Sequence, residues 1–217
     1  MIGLVRSAKP TILASNDVAW NAEYVAWSQH RTGTEPRRYG HQDIRAALAA
    51  DTSSKCAYCE GRVNDVSYVH VEHQLPKKHH PELVCEWNNL TLGCPRCNTS
   101  KGAYDDDALP ILDPYSDDAE SDVAFGGPLA LPRGGARART TINVLDLNRM
   151  ELLHSRGESL RRIDDLLDLI ERVGDNAELV RSLWTDVDRL TSANAEFASA
   201  SRYFVKAQCS ERGLVRP

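Results

Sequence analysis

The sequence predicts an α+β protein, mostly helical, in which a short cysteine-bearing segment lies between helical flanks. Three observations carry that expectation. Apolar residues recur at the helical period on both sides of the centre: Trp20, Tyr24 and Trp27 before it, Leu160, Ile163, Leu167 and Ile170 after it. The run Ser67-Tyr-Val-His-Val-Glu-His73 alternates as a strand and is stopped by Pro76. Two C-x2-C pairs, Cys56/Cys59 and Cys94/Cys97, enclose that strand.

Residues 1–50 form an N-terminal helical segment. Ser15-Asn16-Asp17 is suited to cap a helix, and the aromatic face that follows is set for burial against the next domain. After a polar turn, Ile44 and Leu48 mark a second helix. Residues 51–104 hold the chemistry. Residues 105–140 have the composition of an acidic Pro/Gly-rich linker, with Pro110, Pro114, Pro128, Pro132, Gly126-Gly127 and Gly134-Gly135. The acidic run from Asp105 to Asp122 lacks a calcium-loop order and reads as solvated loop. Residues 141–217 return to helix. Leu179, Leu183, Trp184 and Val187 give a second series after Gly174-Asp175-Asn176, and a third helix is expected from Ala195 to Ala207. These helices read as a packed bundle or a partner surface.

Composition narrows the class. No stretch of the 217 residues approaches the ~20 apolar residues of a membrane helix, and the N-terminal residues lack an apolar run of signal-peptide length. A cytoplasmic protein with no membrane role is therefore expected. The net charge of −5, from 26 basic and 31 acidic residues, argues against a uniformly basic nucleic-acid coat but leaves room for a small local site.

The cysteine spacing carries the clearest chemistry. Each C-x2-C pair forms a knuckle that aims two thiolates at one point, and two knuckles complete a tetrahedral zinc site with no open position. Zn²⁺ bound there is structural, a scaffold that contributes folding free energy. Cys85 and Cys209 stand outside this pattern and read as ordinary semi-buried thiols. Tyr68, His70 and Glu72 fall on one strand face and Val69, Val71 and His73 on the other, so Glu72 and His73 meet at one site only through local twist or a loop. Pro81-Glu82-Leu83 reads as a short turn or helix, and Asn98 as the start of a helix after the second knuckle.

Taken in order, Cys56-x2-Cys59, Val71-Glu72-His73 with Pro76, Trp87-Asn88-Asn89-Leu90, and Cys94-x2-Cys97-Asn98 with Lys101-Gly102 resemble the HNH endonucleases, whose catalytic unit is a ββα-metal fold. Within them, the run is most similar to the HNH subunit of Septu-type antiphage systems, the PtuB-like family. The specific likeness covers about residues 55–104. Residues 141–148 are similar more weakly.

The resemblance implies a catalytic group of His73, Glu72 and Asn89. His73 is the general base, Asn89 braces the loop carrying it, and Glu72 with Asn98 binds a catalytic Mg²⁺ or Mn²⁺. Lys101, and less directly Lys77 and Lys78, contact phosphate. The implied substrate is nucleic acid, DNA ahead of RNA, and the implied partner is an ATPase subunit. His79, His80 and His70 are weaker candidates for a site role. A non-enzymatic zinc module that binds nucleic acid or protein is the alternative, and a zinc-stapled scaffold subunit the third. Neither needs Glu72, His73, Asn89 and Asn98 together.

Overall fold

The structure, a computed structural model, describes residues 1–63, 70–174 and 176–216. Its first part holds α1 (Thr11–Ala14), α2 (Asp17–His30) and α3 (Gln42–Asp51). The expected cap of α2 differs in detail, because the Asn16 side chain turns back to the Ile12 carbonyl at 2.8 Å and gives no cap hydrogen bond. Tyr24 is buried, with Trp20 and Trp27 packed against the same core, so the aromatic face is a packing face. In α3, Ile44 and Leu48 stand one turn apart and are fully buried, as their i, i+4 spacing demands.

The central unit is a hairpin and a helix. Strand β1 (His70–His73) pairs antiparallel with β2 (Leu90–Gly93), His70 opposite Gly93 and His73 opposite Leu90. Ser67, Tyr68 and Val69 of the expected strand lie outside the described residues. Leu90 and Leu92 are fully buried, each contributing about 1.5–3 kcal/mol of apolar burial. The N-terminal segment secures this hairpin. Arg6 donates to the carbonyls of Trp87 (2.9 Å) and Leu90 (2.8 Å) while its guanidinium stacks on Tyr115. Helix α4 spans Pro95–Lys101, so Asn98 lies inside it and does not begin it. The Cys94 sulfur accepts from the Cys97 N–H as an N-cap, and Pro95 occupies the first turn, where its missing N–H costs nothing.

Residues 105–140 are more ordered than their composition suggests. They hold α5 (Ala119–Asp122) and the hairpin β3 (Val123–Gly126) with β4 (Leu129–Pro132), and Gly135 begins α6 (Gly135–Val144). The Gly126-Gly127-Pro128 run is the turn of that hairpin, with Gly127 at φ 59°. Leu112, Ala119, Val123 and Ala130 are buried, so the segment shares the main core.

Three longer helices follow: α7 (Met150–Arg172), α8 (Ala177–Thr191) and α9 (Ala198–Arg212). Helix α9 starts later and runs further than the sequence suggests. Phe197 sits at φ 53°, outside helical space, and the Glu60 carboxylate receives the Ser199 N–H at 3.0 Å. Lys55 likewise donates to the carbonyls of Ala193 and Ala195. These two buried charges, flanking the first cysteine knuckle, fasten the C-terminal helices to the centre. A single core runs from Met1 through the hairpin to Ala200, and a smaller one joins the far half of α7 to α8 and α9. No described helix is long and apolar enough to cross a membrane.

Candidate active site

Two groups of side chains adjoin the β1–β2–α4 unit. In the first, the sulfurs of Cys56, Cys59, Cys94 and Cys97 all lie within 4.8 Å of one another, with Cys59 and Cys94 3.9 Å apart. Four sulfurs about 2.3 Å from one zinc stand about 3.8 Å apart, so the cluster fits tetrahedral zinc. The fit follows from construction, since Ala57 N–H bonds the Leu92 carbonyl and so ties the first knuckle to β2, which leads into the second. Arg149 points its guanidinium at Cys97 (3.6 Å) and Cys94 (3.9 Å). Burial opposes its charge, yet the surrounding sulfurs hold it protonated more firmly than an ordinary arginine. A dianionic zinc–thiolate group is what such an arginine offsets.

The second cluster lines a cleft of about 570 Å³ beside the first. His73 and Glu72, at the end of β1, both reach it, as do His70 from the strand start and Asn98 and Lys101 from α4. The sequence placed Glu72 and His73 on opposite strand faces. Both line the cleft, as do His70 and Val71, so every residue of β1 contributes to its wall.

His73 is buried, and burial pushes its imidazole pKa down to about 4. It is therefore neutral at neutral pH. Its Nε2 lies 2.9 Å from the Val84 carbonyl, which can only accept, so Nε2 carries the proton and Nδ1 keeps the lone pair. Tyr39 stands edge-on to the ring at 4.7 Å between centroids. Asn89 spans the loop that follows. Its Oδ1 accepts the Leu75 N–H at 2.7 Å, and its Nδ2 donates to the carbonyls of Leu75 and Leu83, each at 3.1 Å.

Glu72 is buried, and burial raises its carboxyl pKa above the usual range even though Lys101 stands 2.9 Å away. Lys101 also donates to the His73 carbonyl at 2.8 Å. Room for Glu72 comes from Gly93 on the neighbouring strand, where an added Cβ would lie 3.0 Å from the Glu72 Cβ. Asn98 is half-buried on the α4 side of the same cleft.

Several expected residues stand differently from their sequence reading. Lys101 lines the cleft, but its ammonium is buried and paired with Glu72. Lys77 is clamped by Glu35 and the Tyr39 hydroxyl. Burial opposes ionisation of Glu35, but the Lys77 and Arg37 hydrogen bonds outweigh it and hold its pKa down to about 2. His79 and His80 both contact the Asp105 carboxylate, at 3.1 and 2.9 Å, and do not line the cleft. Cys85 is fully buried and its thiol pKa is pushed up to about 12. The sequence reading missed Tyr39, Arg37 and Arg45, which the N-terminal part brings to the cleft wall with Lys78. The one signal was a basic group, Arg37, Arg38 and Arg45, in an otherwise acidic half.

Comparison with known proteins agrees with this geometry. An HNH endonuclease family model matches residues 56–103. The chain is 31% identical to the Septu protein PtuB of Bacillus thuringiensis over 177 residues, which are 79% of this chain and 66% of that protein. It is 25% identical to the Septu protein PtuB of Bacillus mycoides strain KBAB4, over 76% of this chain and 68% of that one. The matched part thus spans about two thirds of the length of these relatives. Residues 56–103 are similar to the HNH endonuclease family, and the chain is similar to Septu proteins over less than two thirds of the length of the first of them.

Proposed function

We propose that the chain is a metal-dependent endonuclease that hydrolyses phosphodiester bonds, DNA ahead of RNA, as the nuclease subunit of an antiphage complex with an ATPase. The observation that carries this reading is His73. It is a neutral imidazole with its Nε2–H fixed on a backbone carbonyl, and it lines the cleft that Glu72 and Asn98 also line. Such a base can take a proton from an attacking water at Nδ1 without first losing one of its own. General-base assistance of this kind is worth roughly 10²–10⁴ in rate.

Asn89 holds the Leu75–Leu83 loop against the strand end and so keeps the imidazole at its carbonyl. Glu72 and Asn98 offer a carboxylate and an amide oxygen, donors that suit Mg²⁺ or Mn²⁺. A carboxylate has several lone-pair directions, so the ammonium of Lys101 does not exhaust it. When bound, the cation supplies charge neutralisation at the scissile phosphate and the departing oxygen. Arg37, Arg45 and Lys78 on the cleft wall contact the strand's phosphates, with Lys77 and Lys101 adding positive potential behind them. Cys56, Cys59, Cys94 and Cys97 hold structural zinc. The basic rim is small against a net charge of −5, which fits a nuclease whose substrate is delivered by its partner.

The test is cleavage of plasmid DNA and of structured RNA by the full chain, alone and with the proposed ATPase partner. Each is run with Mg²⁺, Mn²⁺ or EDTA. The expected result is cutting of DNA that EDTA abolishes and either cation restores. No cutting under any of these conditions overturns the proposal.

A further inference from the structure

We infer that Asn21, on the flanking helix α2, is a positioning residue for His73, acting through one buried peptide group. The peptide joining Val84 to Cys85 has two ends. Its carbonyl accepts from His73 Nε2 at 2.9 Å, and its N–H donates to the Asn21 Oδ1 at 2.7 Å. The N–H can be met only by an acceptor, so the orientation of the Asn21 amide is set by chemistry. A side chain outside the matched HNH span is thus linked, amide to peptide to imidazole, to the proposed base. The inference rests on that reading of His73.

The arrangement is built to hold one geometry. Val84 and Cys85 are both fully buried, so no water competes for either end of their peptide. The peptide plane is held from both sides and cannot rotate without breaking one bond and orphaning a buried group. An acceptor on the N–H also polarises the peptide and strengthens its carbonyl as an acceptor, which favours the Nε2–H tautomer over the alternative. The chain around Asn21 is anchored independently. Helix α2 packs on the Pro81–Leu83 turn just before this peptide, and Tyr24 one turn further on is buried with its hydroxyl on Glu35. The flanking helix therefore reaches the base twice, through Asn21 to its carbonyl partner and through the Glu35–Lys77–Tyr39 clamp to its ring.

The experiment reads the His73 imidazole directly, by ¹⁵N-edited NMR of the zinc-loaded full chain at neutral pH. Its signals are picked from the seven histidines by their loss in His73→Gln. Wild type is expected to show a protonated Nε2 and a bare Nδ1. In Asn21→Leu these move toward the averaged values of mixed tautomers, kcat for DNA cleavage falls roughly 10–100-fold, and KM is unchanged. In Asn21→Asp, where a carboxylate accepts the same N–H, the tautomer is kept, the Nε2 proton moves downfield, and kcat stays within a few-fold.

Imidazole signals in Asn21→Leu identical to wild type overturn the inference. If that variant loses zinc and fold, Asn21→Asp decides alone, and an unmoved Nε2 proton overturns it. A wild type that cuts nothing while showing the Nε2–H form overturns the nuclease reading and leaves the positioning by Asn21 standing.

Discussion

The cysteine cluster and the cleft are built from the same hairpin and the same short helix, yet they are opposite kinds of site. In the first, four sulfurs converge within 4.8 Å, three of the four cysteines are buried, and no ligand position is left over. In the second, Glu72, His73 and Asn98 line about 570 Å³ of open space without converging on one point. The difference teaches where reactivity resides in this fold. Helix α4 contributes Cys97 to the closed site and, one residue on, Asn98 to the open one. The first is a closed cluster, and the second is an open cleft on the same short helix.

Breaking the closed site should have the largest effect. Structural zinc in small modules contributes on the order of 10 kcal/mol, as much as the whole stability of an ordinary domain. Cys97→Ser, or a strong chelator on wild type, is expected to abolish the cooperative thermal transition. A melting curve that survives zinc removal would show that the staple is dispensable.

Breaking the cleft's buried ion pair comes next. Lys101 and Glu72 are both nearly inaccessible, and removing one partner of such a pair costs roughly 3–5 kcal/mol. Lys101→Met should lower stability by that much with zinc retained, and the double variant with Glu72→Gln should recover most of it. Denaturant unfolding of wild type and the two variants checks this.

The pH response sharpens the contrast. His73 titrates near 4 when folded and near 6.5 when unfolded, so above pH 6.5 both states are neutral and its contribution is complete. As pH falls from 6.5 to 4, the unfolded chain binds a proton that the folded chain refuses. Stability drops by up to about 3 kcal/mol over that window. Wild type should lose more stability across it than His73→Gln at equal zinc content. Parallel losses would mean that the imidazole is not buried neutral.

The smallest effect belongs to the rim. Arg45 is exposed, and removing one phosphate contact should weaken DNA binding only several-fold and reduce the salt slope by roughly one. Binding of Arg45→Ala measured between low and physiological salt tests this.

The parts of the molecule readable in the sequence are those fixed by short spacings. The two C-x2-C pairs lead to one sulfur cluster, and Ile44 with Leu48 leads to a buried helix face. The Trp87-Asn88-Asn89-Leu90 run places its second asparagine against the loop after His73. What could not be read depends on long-range placement or on backbone. Tyr39 and Arg45 reach the cleft because α2 packs on the Pro81–Leu83 turn and α3 on β2, and no local pattern encodes that. The Val84 carbonyl that sets the His73 tautomer has no side-chain signature at all. Asn98 sits inside its helix because a cysteine sulfur acts as the N-cap, a role shared with zinc ligation that composition does not reveal. The glycines and prolines of residues 105–140 were legible as chain reversals, but not as a hairpin whose Val123 and Ala130 join the core.

The most direct test of the division between staple and cleft is His73→Ala, compared with wild type for zinc content, melting temperature and metal-dependent DNA cleavage in the same preparation. The account predicts equal zinc, a folded protein with a cooperative melt, and cleavage lower by at least about a hundredfold. Equal cleavage by the two proteins would contradict it.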